Sequence, residues 1–177
     1  MRTRVALAVA ALFALVAHIG GPTAARARAP RDAKIVFTSA PGLAAEIYVM
    51  NPDGGDLQQL THLDAASGAA RWSPDGRRIV FSSTTRGAAG LLSLYVMKAD
   101  GSDITRLTDA RFASDCWPTW SPDGTQIVFT SNRNTDHELY RMNATDGTIL
   151  ARLTTSGGHD GYPAWSPDGA KIVFGSE

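Results

Sequence analysis

Five residues, Trp-Ser-Pro-Asp-Gly, occur three times in this chain, at Trp72–Gly76, Trp120–Gly124 and Trp165–Gly169. The intervals are 48 and 45 residues. After each glycine, with two residues between, stands Ile-Val-Phe, at Ile79–Phe81, Ile127–Phe129 and Ile172–Phe174, with a further copy at Ile35–Phe37. Next come Ile47-Tyr48-Val49-Met50, Leu94-Tyr95-Val96-Met97 and Leu139-Tyr140-Arg141-Met142. Each is followed by an Asp-Gly pair (Asp53, Asp100, Asp146) and then by Leu-Thr at Leu60, Leu107 and Leu153. Features recurring in one order at one period mark a chain built from copies of a single supersecondary unit.

Each unit reads as four short strands, A to D. Strand A ends at the tryptophan, and Ser-Pro-Asp-Gly is a tight turn: proline pre-sets φ, aspartate bonds back to the backbone, and glycine accepts positive φ. Strand B is Ile-Val-Phe, strand C holds the tyrosine and methionine, and strand D ends at Leu-Thr. Strands B and C carry apolar side chains on both faces, as sheets covered on both sides do. Four-stranded units of this length predict an all-β chain of antiparallel propeller blades. The units run 35–78, 79–126 and 127–171, with a partial unit at 172–177. Counted by strands, that is three blades and one extra strand.

The first residues belong to something else. Arg2 and Arg4 precede an apolar run, Val5–Ala17, of 13 residues, and Ala25 and Ala27 form an A-x-A cleavage pattern. This predicts a secretory signal peptide over 1–27, with a second site ending at 29, and a short linker over 28–34. The run is shorter than the ~18–20 residues a spanning helix needs, so no membrane span is expected after cleavage. Removing Arg2, Arg4 and Arg26 leaves 14 basic against 17 acidic residues, a charge of −3. A mildly acidic chain without a basic cluster argues against nucleic acid as a partner. Export to the periplasm or the medium is the expectation. Cys116 is the only cysteine, so no intrachain disulfide can form.

The repeated aspartates Asp75, Asp123 and Asp168 read as turn chemistry rather than as an acidic site, and the repeated tryptophans as packing between blades. The segments just ahead of each Trp-Ser-Pro-Asp-Gly differ more. They are Ser67–Arg71, Asp115–Thr119 and Asp160–Ala164. Read as loops around one mouth of a central channel, they offer Asp115, Trp117, Asp160, Tyr162 and Arg71 as ligand-binding residues. An aromatic and acidic rim suits a protein or peptide, or a cation on the axis. Equally, aspartate capping a loop and an aromatic covering a blade edge would explain the same residues. His62, His137 and His159 follow no metal-ligand spacing, and no catalytic or cofactor motif is present.

Taken together, Pro163–Gly169 with Lys171–Phe174, and Leu94–Met97 with Asp100-Gly101 and Thr105–Thr108, closely resemble the TolB-type, WD-like propeller repeat. The resemblance covers residues 33–177. It implies an exported, non-catalytic scaffold binding a protein or peptide in the bacterial envelope at the channel mouth, through Asp115, Trp117, Asp160 and Tyr162. Ser67 and Arg71 depart from that pattern in their blade. The α/β domain that precedes the propeller in the family's namesake has no counterpart here, so the chain reads as TolB-like only. Similar repeats also build propellers of prolyl-oligopeptidase-type peptidases and polysaccharide lyases, which makes a fragment of an exported enzyme the alternative. Carbohydrate binding through Trp117 and Tyr162 is a third reading. Because closure usually takes at least four blades, truncation or a homodimer that completes the propeller is expected ahead of an open arc with exposed edges.

Overall fold

A computed structural model describes residues 33–177 apart from Leu43, Asp64, 85–89 and Ala110. The expected signal peptide lies outside the described residues. Thirteen strands and no helix are found among them. They are β1 (Ile35–Ser39), β2 (Glu46–Met50), β3 (Gln58–Gln59), β4 (Ser67–Trp72), β5 (Arg78–Thr84), β6 (Leu92–Lys98) and β7 (Thr105–Arg106). Then follow β8 (Asp115–Trp120), β9 (Gln126–Asn134), β10 (Asp136–Asn143), β11 (Ile149–Arg152), β12 (Asp160–Trp165) and β13 (Ile172–Ser176). Hydrogen bonding groups them into four antiparallel sheets, β1-β2-β3, β4-β5-β6-β7, β8-β9-β10-β11 and β12-β13. This is the expected order: B-C-D, A-B-C-D twice, then A-B. Each sheet with a strand A opens on it, so a unit counted from Ile35 takes three strands from one sheet and the first strand of the next.

The apolar strands alternate between two cores, one on each face of a sheet. On β5, Ile79 and Phe81 join Ile47, Val49 and Met97 in the seam between the first and second sheets. Val80, pointing the other way, joins Leu94, Trp120, Ile127, Phe129 and Met142 in the seam between the second and third. Covering both faces is why Ile-Val-Phe has no polar alternation. At the fourth sheet the same positions are uncovered: Val173 is 68% exposed, while Val80 and Val128 are fully buried. Trp120 locks a seam with more than its ring, since its indole N–H donates to the Arg71 carbonyl of the neighbouring sheet at 3.2 Å.

The turns carry the repeated polar residues, as expected. Ser73 donates to Asp75 Oδ1 at 2.5 Å, and the Arg77 N–H donates to the same oxygen at 3.1 Å. Ser121–Asp123 and Ser166–Asp168 repeat the pattern at 2.6 and 2.5 Å. These serine hydroxyls hold all three carboxyls below the usual aspartate range. The Asp-Gly turns have a second role. Gly147 sits at φ +73°, and a Cβ there would lie 2.2 Å from the Leu107 carbonyl oxygen of the preceding sheet. The D strands stop just before Leu-Thr, and threonine explains why that pair recurs. Thr61, Thr108 and Thr154 accept the N–H groups of Ile47, Leu94 and Leu139 at 2.8–3.0 Å, so a side chain takes over from the backbone ladder. Thr61 and Thr154 in turn donate to the buried carboxylates of Glu46 and Glu138.

Candidate functional site at the open end of the inner strands

The three A strands, β4, β8 and β12, pack side by side. Each breaks register once, between Gly68 and Arg71, Cys116 and Thr119, and Gly161 and Ala164. The residue after each first-named position takes a left-handed backbone: Ala69 at φ +54°, Trp117 at +50° and Tyr162 at +56°. Left-handed backbone costs a residue with a Cβ, and for bulky side chains it is a true outlier. A bulge re-aims the side chain it carries while ladder pairing resumes on either side. The expected channel-mouth loops are therefore corrected: Asp115, Trp117, Asp160 and Tyr162 all lie within strands.

Bulging brings together residues far apart in sequence. The rings of Trp117 and Tyr162 stand 4.0 Å apart at 30°, and His159 lies 5.9 Å from Trp117. His159 also stacks on His137 at 4.5 Å. Spacing gave no hint of that histidine pair, because it forms between the start of β10 and the segment entering β12. Burial, and after it the neighbouring His159, lower the His137 pKa against a small opposing pull from Asp136. Beside Trp117 and His137 opens a cleft of about 480 Å³, lined also by Ala69, Ser82, Leu92 and Cys116. Tyr162 is 64% exposed. Burial pushes the Cys116 thiol up to about 12, and Asp115 adds to the effect, so the thiol stays protonated and unreactive near neutral pH.

The aspartates do not form a rim. Asp115 and Asp160 are each 1% exposed, and Asp115 pairs with Arg133 of β9 at 2.9 Å. Asp160 accepts the Ser156 hydroxyl at 2.9 Å, and hydrogen bonding, from Ser176 first, holds its carboxyl low. Both belong to the internal framework of their sheets, because a buried carboxylate needs partners of this kind. Arg71 leaves the cluster as well. Two residues past the bulge, it turns its guanidinium onto the Ala70 carbonyl at 2.9 Å. Of the five residues picked from sequence, the structure joins only Trp117 and Tyr162, and adds His137 and His159. Among the described residues no group of three or more His, Cys, Asp or Glu side chains is placed to hold a metal ion.

The model of the TolB β-propeller domain matches residues 87–177, just over half of the chain. The chain belongs to the TolB β-propeller family. Its fold is similar to that of a TolB candidate from Agrobacterium tumefaciens, with 27% identity and a TM-score of 0.72 over 81% of this chain and 50% of that one. TolB from Acinetobacter baumannii is similar at 26% identity and a TM-score of 0.64, covering 80% of this chain and 34% of that one. In sequence, 65 residues are 35% identical to the uncharacterised peptidase YuxL of Bacillus subtilis, 37% of this chain and 10% of that protein. The chain thus spans half or less of the length of each of these three proteins. Among the described residues no helix is long and apolar enough to cross a membrane.

Proposed function

We propose that this chain is an exported, non-catalytic TolB-type propeller segment that binds a protein or peptide of the bacterial envelope at the open end of its inner strands. One observation carries the reading. Two aromatic rings, Trp117 and Tyr162, are held in left-handed backbone, meet at 4.0 Å, and leave Tyr162 64% exposed beside a cleft of about 480 Å³. Strained backbone persists where surrounding structure holds it and clusters at ligand-facing positions, and rigid aromatics anchor protein interfaces. The basic, apolar and small-residue order of residues 1–27 supports export, and membership of the TolB propeller family supports a scaffold role.

The test is capture from bacterial envelope extract with the wild type and with Trp117→Ala/Tyr162→Ala. Partners recovered by the wild type should be lost from the variant, whose aromatic pair is gone but whose buried aspartates remain. Indistinguishable partner sets would refute the site. A second reading, the propeller of an exported peptidase, is favoured by the YuxL match. It requires that the aromatic pair face a peptide substrate, and the same variant should then slow peptide cleavage in place of losing a partner.

A further inference from the structure

At the opposite end of the blades, the Trp-Ser-Pro-Asp-Gly turns border the seams between sheets. The seam between the third and fourth sheets holds a cleft of about 300 Å³ lined by Gln126, Arg141 and Trp165, with Asp123 and Asp168 beside them. Among the described residues, seven buried side-chain polar atoms have no hydrogen-bond partner, and three belong to this cleft: Gln126 Oε1, Arg141 Nε and Trp165 Nε1. A buried polar atom left unpaired costs free energy, so three together need an explanation.

The repeat supplies its own control. In the seam between the second and third sheets, Arg78 stands where Gln126 does, and Val96 where Arg141 does. There the Arg78 guanidinium lies over the Trp120 ring at 4.7 Å, and the Trp120 indole N–H reaches the Arg71 carbonyl. That seam is closed by its own side chains. In the seam between the first and second sheets, Val49 replaces the arginine and Lys34 pairs with Asp56, leaving the Trp72 indole as the one orphan. Only the last seam moves the cation from strand B to strand C and leaves donors and an acceptor unpaired around one opening.

The chemistry narrows the occupant. An apolar molecule would leave the three atoms unpaired. An anion would meet the Asp123 and Asp168 carboxylates, which their turn serines keep ionised. A cation would meet the Arg141 guanidinium. Hydroxyl groups both donate and accept, and so can serve Arg141 Nε, Trp165 Nε1 and Gln126 Oε1 at once. The opening lies at the small end of ligand pockets, roughly 300–1,000 Å³, which fits one ring. We propose that this seam binds a neutral, hydroxyl-rich ligand of hexose size through Gln126, Arg141 and Trp165, independently of the site at the other end of the strands.

The test follows the tryptophan indole N–H signals of the ¹⁵N-labelled chain during titration with D-glucose and with N-acetyl-D-glucosamine, Trp165 being identified with Trp165→Phe. The Trp165 signal should move saturably with at least one sugar, at a dissociation constant on the order of 1 mM, as about 12 non-hydrogen atoms at ordinary ligand efficiency allow. Gln126→Arg/Arg141→Val rebuilds the closed seam found one sheet earlier, so it should fold normally and bind at least about ten-fold more weakly. Should the double variant fail to fold, Arg141→Val alone, carrying the residue the other two blades have, must show the same loss. A Trp165 signal unmoved by both sugars, or moved equally in the folded variant, overturns the proposal and leaves the cleft to water. Saturable shifts confined to Trp117 would overturn it too.

Discussion

Ala69 and Ala70 are neighbours on β4, yet replacing each by glycine should change stability in opposite directions. Ala69 sits at φ +54° in the bulge. Relieving a left-handed alanine is worth about 1–2 kcal/mol, against about 0.4–1 kcal/mol for the greater freedom of glycine in the unfolded chain. Ala69→Gly should therefore be neutral or stabilising, by about 0–1.5 kcal/mol. Ala70 is buried in the seam between the first two sheets. Ala70→Gly loses about 0.8 kcal/mol of methyl burial and about 0.5–1 kcal/mol to glycine in a strand, so it should destabilise by about 1.5 kcal/mol. At roughly 2–4 °C per kcal/mol for a chain of this size, Tm should stay level or rise by up to about 6 °C for the first and fall by about 3–6 °C for the second. Differential scanning calorimetry of both variants beside the wild type measures this. If Ala69→Gly loses as much as Ala70→Gly, the bulge is not left-handed in solution. The re-aiming of Trp117 and Tyr162 at the same position would lose its basis with it.

Gly54 and Gly147 occupy equivalent turns at φ +85° and +73°, but only Gly147 has a carbonyl oxygen, 2.2 Å from where a Cβ would sit. In urea unfolding, Gly54→Ala should cost about 1–2 kcal/mol and Gly147→Ala a further 1–3 kcal/mol or so, and equal losses would mean the sheets are not seated on this turn. Acid should act through His137 before it acts through the turn aspartates. Its folded-state pKa is depressed below the ordinary 6.5, so its contribution is complete above that value and is lost as pH falls through the lowered one. His137→Asn should flatten the decline of Tm as pH falls below about 6.5, and an unchanged slope would show that burial and the neighbouring His159 do not hold His137 neutral.

Much of the fold was legible because its signals are local. Ser-Pro-Asp-Gly closes the same turn wherever it stands, since serine, aspartate and glycine bond one another within five residues. Ile-Val-Phe announces a strand covered on both faces without reference to what covers it. The buried glutamates were not legible: nothing near Glu46 or Glu138 tells that a threonine 15 or 16 residues on will donate to it. The site was half legible. Trp117 and Tyr162 were recognisable as a variable, aromatic position in a regular repeat, but Asp115 and Asp160 look equally exposed in sequence and are internal. The difference lies in their partners: Arg133 reaches Asp115 from β9, and Ser156 folds back onto Asp160 from four residues earlier.

By itself the sequence determined the repeating unit, its strand order and its turns, because each depends on residues that are neighbours along the chain. Tertiary structure alone decided which aromatic rings meet, which carboxylates are buried, and which seam is left with unpaired polar atoms. Those outcomes depend on one sheet packing against the next. Arg78 and Arg141 show the difference. The same charge stands beside successive tryptophans, yet only the first is shown lying over the ring of its neighbour, while the second is left with an unpaired Nε.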